Sequence, residues 1–175
     1  MSVRNRLLVS TPDTFATNGG GRAVGLLNSF RILALSGSLR RASLNTAMLA
    51  MATECAPPGL ASTLYAGMGH LPLFNPDLES REPKEVAGLR HDIANADALL
   101  IASPEYAHGV SGVMKNALDW MVASGVLTDK PIALWNASPR ASHAIAALRE
   151  TLAVMAAKLV DAAGLELQMG HGSVG

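Results

Sequence analysis

At 175 residues the chain has the length of one domain, and 49% apolar residues are enough for a core without disulfides or a structural metal and too many for wholesale disorder. Lys+Arg and Asp+Glu are both 14, so the chain is formally neutral. It offers no electrostatic footprint for duplex nucleic acid or an anionic membrane, and low net charge permits self-association. One cysteine, Cys55, excludes an internal disulfide framework and cysteine-based zinc sites, and it fits a reducing compartment.

No apolar run approaches the roughly 18 residues of a membrane helix. Residues 1–30 lack the continuous apolar stretch of a secretory signal. They carry Arg4, Arg6 and Arg22 with a single acid, Asp13, a composition only faintly like a transit peptide. Thr17 to Gly21 is the most linker-like stretch. The expectation is an N-terminal extension over 1–30, flexible or partly docked, ahead of one domain over 31–175.

Ile32 to Leu35 is a short apolar run that predicts a buried strand. Ser43 can cap a helix whose apolar positions, Leu44, Ala47, Met48, Met51 and Cys55, stand at helical spacing until Pro57-Pro58-Gly59. Residues 60–66 alternate as a weaker strand, and a Pro-rich loop runs from Leu71 to Pro83. Pro83 suits the first turn of a helix carrying Val86, Leu89 and Ile93. Ala98 to Ala102 is the clearest buried strand, and Ser111 can cap the helix through Val113, Ala117, Leu118 and Met121. Pro131 opens a fourth strand, Ile132 to Trp135. Ile145, Leu148, Leu152, Met155 and Leu159 predict one long helix that Gly164 can end, with a fifth strand over Leu165 to Met169. Alternating strands and helices imply an α/β fold: a doubly wound parallel sheet of five strands, in the flavodoxin-like order 2-1-3-4-5. In that fold, ligands bind beyond the carboxyl ends of the strands, where the winding reverses.

The loops after strands one, three and four carry the chemistry. Ser36 to Thr46 leads into a helix N-terminus, which favours anions. Ser38, Ser43 and Thr46 add hydroxyls, Asn45 an amide, and Arg40 or Arg41 a cation. A phosphate site and a capped, solvated turn both fit; neither the Walker pattern nor G-x-G-x-x-G is present. Ser103 to Gly112 holds two glycines and a proline that permit close backbone approach to a flat ring, with Tyr106 on it. His108 there is either a proton donor or a polar surface residue. Ser138, before Pro139, reads as a helix cap facing the same crevice, and Arg140 as a second phosphate contact or a solvated side chain.

Together these loops resemble the NADPH-dependent FMN reductase family, which includes flavin-dependent quinone, azo-dye and chromate reductases. The matching segments are Gly37 to Asn45, Leu71 to Asn75, Ser103 to Tyr106, and Lys115 to Trp120, and the likeness runs from about Arg31 to about Met169. The resemblance implies FMN held by Ser38, Arg40, Ser43, Asn45 and Thr46 at its phosphate. It places Pro104, Glu105, Tyr106 and Ala107 along the isoalloxazine and Ser138 in the third loop. It implies hydride transfer from NADPH or NADH to a quinone-like, azo, metal-oxyanion or flavin acceptor, by a cytoplasmic homodimer or homotetramer. The flavin carries the hard chemistry, so no catalytic side chain and no metal is expected. The alternative is an FMN-binding electron carrier serving a protein partner.

Two departures stand out. Many members have Asn-Gly after Pro-Glu-Tyr, where this chain has Ala107-His108-Gly109. The family also has a helix after strand five, and this sequence stops at Gly175. Right-handed crossovers would leave only helix one on its face of the sheet, exposing apolar surface beside it. Arg22 to Phe30, or a partner subunit, is the expected cover. Deleting residues 1–30 should then lower the melting temperature by several degrees, and an unchanged melting curve would exclude that segment as the cover.

Overall fold

The computed structural model describes residues 29–138 and 141–166. The elements are β1 (Phe30–Ser36), α1 (Leu44–Glu54), β2 (Leu60–Leu64), α2 (Lys84–Asn95), β3 (Ala98–Ala102) and a small hairpin of β4 (Glu105–Tyr106) and β5 (Gly109–Val110). They continue as α3 (Gly112–Met121), β6 (Pro131–Asn136), α4 (Ser142–Val154), β7 (Lys158–Leu159) and β8 (Leu165–Glu166). The main sheet runs β2-β1-β3-β6-β7, with β8 also pairing β6, and every pairing in it is parallel. This is the expected order, with the winding reversed between β1 and β3.

The apolar runs become strands because both faces of the sheet demand apolar side chains. On one face Leu33, Leu35, Leu99, Ile101, Ile132 and Leu134 meet Val86, Leu89 and Ile93 of α2, Met114 and Leu118 of α3, and Leu148 and Leu152 of α4. On the other, α1 is the one helix among the described residues: Ala34, Leu100 and Ala102 meet its Met48 and Leu49, with Ala137 beside them. The uneven cover leaves a cavity of about 480 Å³ beside α1. Ile32, Leu100, Ala133 and Trp135 form its sheet side, and Ala52 and Cys55 its helix side. Phe30, which also lines it, is the start of β1; the rest of the expected cover, apart from Ser29, lies outside the described residues.

Three expectations are corrected. The fourth helix ends at Val154, ten residues short of Gly164. Ala156 turns left-handed (φ 56°), and the Ala157 N–H donates back to the Leu152 carbonyl at 3.0 Å, a left-handed helix stop. Leu159 keeps the helical spacing but serves β7, where it pairs with Ile132 and packs on the core. The fifth strand is accordingly two short pieces, Lys158–Leu159 and Leu165–Glu166, separated by a 3₁₀ turn over Asp161–Ala163; residues 167–169 of the expected strand lie outside the described residues. Finally, Ser138 is not the cap of α4. Ala141 holds that position, with its N–H donating to the Ser138 carbonyl at 3.0 Å.

The long loop before α2 is anchored by the Lys115-to-Trp120 segment. Asn116 Oδ1 accepts from the Phe74 N–H at 2.7 Å, and Asn116 Nδ2 donates to the Pro72 carbonyl at 3.0 Å. Trp120 Nε1 donates to that same carbonyl at 2.8 Å, and its ring meets Phe74 edge-on at 5.1 Å. Asn116→Ala strips the half-buried Phe74 N–H of its partner, so unfolding by denaturant should show a loss of about 1–3 kcal/mol. Unchanged stability would mean that Trp120 alone holds the loop.

Candidate active site

The three loops meet at the carboxyl edge of β1, β3 and β6. Ser111 does most of the joining. Its hydroxyl accepts from the Met114 N–H at 3.3 Å, capping α3, and donates to the Gly37 carbonyl at 2.7 Å. Ser103 donates to the same hydroxyl at 3.2 Å. Both serines are buried. Gly37 in turn donates its N–H to the Ala102 carbonyl at 2.8 Å. A Cβ on Gly37 would fall 2.5 Å from Ser103 Oγ and 2.8 Å from Ser111 Oγ, so only glycine lets the two loops touch.

Around the N-terminus of α1 the expected residues assemble. Ser43 caps the helix by accepting from the Thr46 N–H at 3.2 Å. Thr46 Oγ1 lies 2.7 Å from Ser36 Oγ, which accepts from the Ser38 N–H at 3.3 Å. The Arg40 N–H donates to Ser38 Oγ at 3.4 Å, while the Arg40 and Arg41 side chains are exposed. Buried Asn45 reaches across to the third loop, where its Oδ1 accepts from the Ala137 N–H at 3.4 Å. The first turn of α1 carries no acidic residue. Hydroxyls, a positive helix end and two adjacent arginines, with no carboxylate in that turn, suit a phosphate. The donor set therefore fits FMN.

The hairpin forms the second wall. Glu105 pairs with Val110 and Tyr106 with Gly109, and the turn between them is Ala107 (φ 49°) and His108 (φ 59°). Two left-handed residues define the tight turn that suits a twisted hairpin, for which Asn-Gly is best adapted. Ala107-His108 holds it at a cost of about 1–2 kcal/mol per residue. Tyr106 stands out at the rim, and Pro104 is half-buried.

Glu105 joins this wall to the third loop. One carboxylate oxygen accepts from the Ala144 N–H in the first turn of α4 at 2.9 Å, which does the capping expected of Ser138. The other lies 3.3 Å from His108 Nδ1. The Ala144 N–H, above all, and then His143 and His108 hold the Glu105 carboxyl below the usual carboxylate range, against the opposing pull of burial. The His108 and His143 rings meet edge-on at 4.4 Å. Ser138 is exposed in the third loop, its N–H donating to Asn136 Oδ1 at 3.0 Å, and Arg140 lies outside the described residues.

Sequence reasoning assigned no role to Ser36, Ser103, Asn136 or His143. For the first three the available signal was a polar residue at the end of an apolar strand; for His143 there was none.

The sequence matches the family model for NADPH-dependent FMN reductase over residues 30–172, and the chain belongs to that family. It is 43% identical over 94 residues to an NAD(P)H-dependent FMN reductase of Pseudomonas aeruginosa, covering 53% of this chain and 50% of that one. To an NADPH:quinone oxidoreductase of Arabidopsis thaliana it is 44% identical over 110 residues, covering 59% and 56%. The chain thus spans about half the length of these curated relatives. Among solved structures, a flavoenzyme NAD(P)H:(acceptor) oxidoreductase from Paracoccus denitrificans superposes with a TM-score of 0.69 at 31% identity, covering 75% of each chain.

Glu105 has a checkable pH signature. Its carboxyl is lower in the folded chain than in the unfolded one, so its contribution is complete above the ordinary carboxylate range and is lost as pH falls through the folded value. Glu105→Ala should therefore lower the melting temperature at neutral pH and lose less of it than the parent from about pH 6 to about pH 3. Parallel curves would show that the carboxylate does not stabilise the fold.

Proposed function

We propose that this chain binds FMN between the α1 N-terminus and the Glu105–Val110 hairpin, and passes reducing equivalents from NADPH or NADH to a small quinone-like acceptor. The observation that carries the reading is the direct tie between these walls, from Ser111 through Gly37, at the point where the winding reverses. Bound FMN would supply the hydride chemistry. The chain's own residues do the rest. Ser38, Ser43 and Thr46, with the first turn of α1, would hold the phosphate, and the exposed Arg40 would add a positive charge beside it. Asn45 keeps the third loop, with Ser138, against that helix. Pro104, Glu105, Tyr106 and Ala107 form the wall beside the ring, and exposed Tyr106 leaves its outer side open to acceptors of varied shape.

The names of relatives that act on quinones support a quinone among the possible acceptors. The neutral charge and single cysteine support a cytoplasmic homo-oligomer. Among the described residues no helix is long and apolar enough to cross a membrane. A visible spectrum of the purified chain, taken with added FMN and then NADPH, tests the reading. Bound-flavin bands that bleach with NADPH and return with a quinone are expected. Bound flavin that NADPH does not bleach would make the chain an electron carrier, and failure to retain flavin would remove the site assignment.

A further inference from the structure

The hairpin turn places a histidine, instead of a glycine, at a left-handed position on the edge of the crevice (φ 59°), and two neighbours fix how that ring stands. Glu105 of β4, its side chain largely buried and itself anchored by the Ala144 N–H, sets a carboxylate oxygen 3.3 Å from His108 Nδ1. His143, in the first turn of α4, meets the ring edge-on at 4.4 Å. These two side chains and the N-terminal end of α4 are the charged or titratable groups that face His108 among the described residues. A carboxylate facing Nδ1 favours a proton there, because a lone pair in that place would be repelled. Nε2 is then the nitrogen left to exchange protons, on a ring that is otherwise exposed. Strain in a binding-site turn, held by surrounding contacts, is the pattern of a residue kept for what its side chain does.

We propose that His108 is the proton donor to the acceptor, with Glu105 and His143 as its positioning residues. The proposal rests on the flavin-reductase reading. A quinone that has taken up a hydride, two electrons and a proton originating from NAD(P)H, is one proton short of the hydroquinone. The imidazolium form of His108, protonated on both nitrogens, gives its Nε2 proton to the acceptor oxygen and is left as the neutral Nδ1–H imidazole, and a proton from solvent restores it. An acceptor that takes electrons without protons, such as ferricyanide, gains nothing from the histidine.

Two measurements on the full chain test this. The first is the tautomer of His108, read by nitrogen-15 NMR without flavin. Nδ1–H is expected in the parent. In Glu105→Gln, whose amide can donate to Nδ1 while still accepting from Ala144, Nε2–H is expected. Nε2–H already in the parent would overturn the positioning role of Glu105. The second is the ratio of quinone to ferricyanide turnover with NADPH at about pH 7, which should fall about 10²-fold in His108→Gln. An unchanged ratio with normal NADPH bleaching would overturn the proton-donor role and leave the reductase reading standing. Absence of NADPH bleaching in the parent would overturn both.

Discussion

The contact on which the site depends is the hydrogen bond from the Ser111 hydroxyl to the Gly37 carbonyl, between residues 74 positions apart. It joins the loop after β1 to the loop after β3, the two strands whose order of winding reverses. Such a crevice is useful only if its walls keep a fixed separation, and two surface loops would not do so unaided. Here one buried hydroxyl caps α3, binds the Gly37 carbonyl and receives Ser103, while the absence of a Cβ on Gly37 lets the backbones come that close. A hydroxyl buried with its partners satisfied stiffens its surroundings. Losing it would strand a carbonyl and a helix end together.

The same device recurs with other groups. Asn45 ties the start of α1 to Ala137, and Glu105 ties the hairpin to the start of α4. Each tie uses a side chain of one segment to satisfy a backbone group of another: the Gly37 carbonyl for Ser111, the Ala137 N–H for Asn45 and the Ala144 N–H for Glu105. The three loops are therefore built as one body, although none has regular structure across its whole length. Glu105 differs from the other two in carrying charge, which makes this junction responsive to pH where the serine and asparagine ties are not.

The sheet is covered unequally for a topological reason. Strand order with right-handed crossovers puts α2, α3 and α4 on one face and, among the described residues, leaves α1 alone on the other. Small residues on the α1 side, Ala34, Ala102 and Ala133, allow close packing under that helix, but Trp135 and Ile32 extend past it into the open cavity. The candidate crevice lies at the carboxyl edge, away from this cavity, so the ties among its loops do not depend on the α1 face.

Much of this was legible in the sequence because it is local. Ile32 to Leu35 and Ala98 to Ala102 are apolar on both faces and could only be covered strands, and Ser43 and Ser111 stand where a helix start needs an acceptor. The hydroxyl-rich loop at the first helix start was visible for the same reason. What the sequence could not determine depends on partners remote along the chain. Leu159 fits a helical stripe and a short strand equally well, and the left-handed Ala156, followed by pairing with Pro131 and Ile132, decided between them. Ser138 looks like a cap until the carboxylate of Glu105, 39 residues before Ala144, is seen to accept from the Ala144 N–H in α4. Spacing alone thus marked most of the strands and helices and set a cluster of hydroxyls at the first helix start. Tertiary structure alone decided which side chain satisfies which distant backbone group, because that follows from the proximity of loops that only the folded sheet brings together.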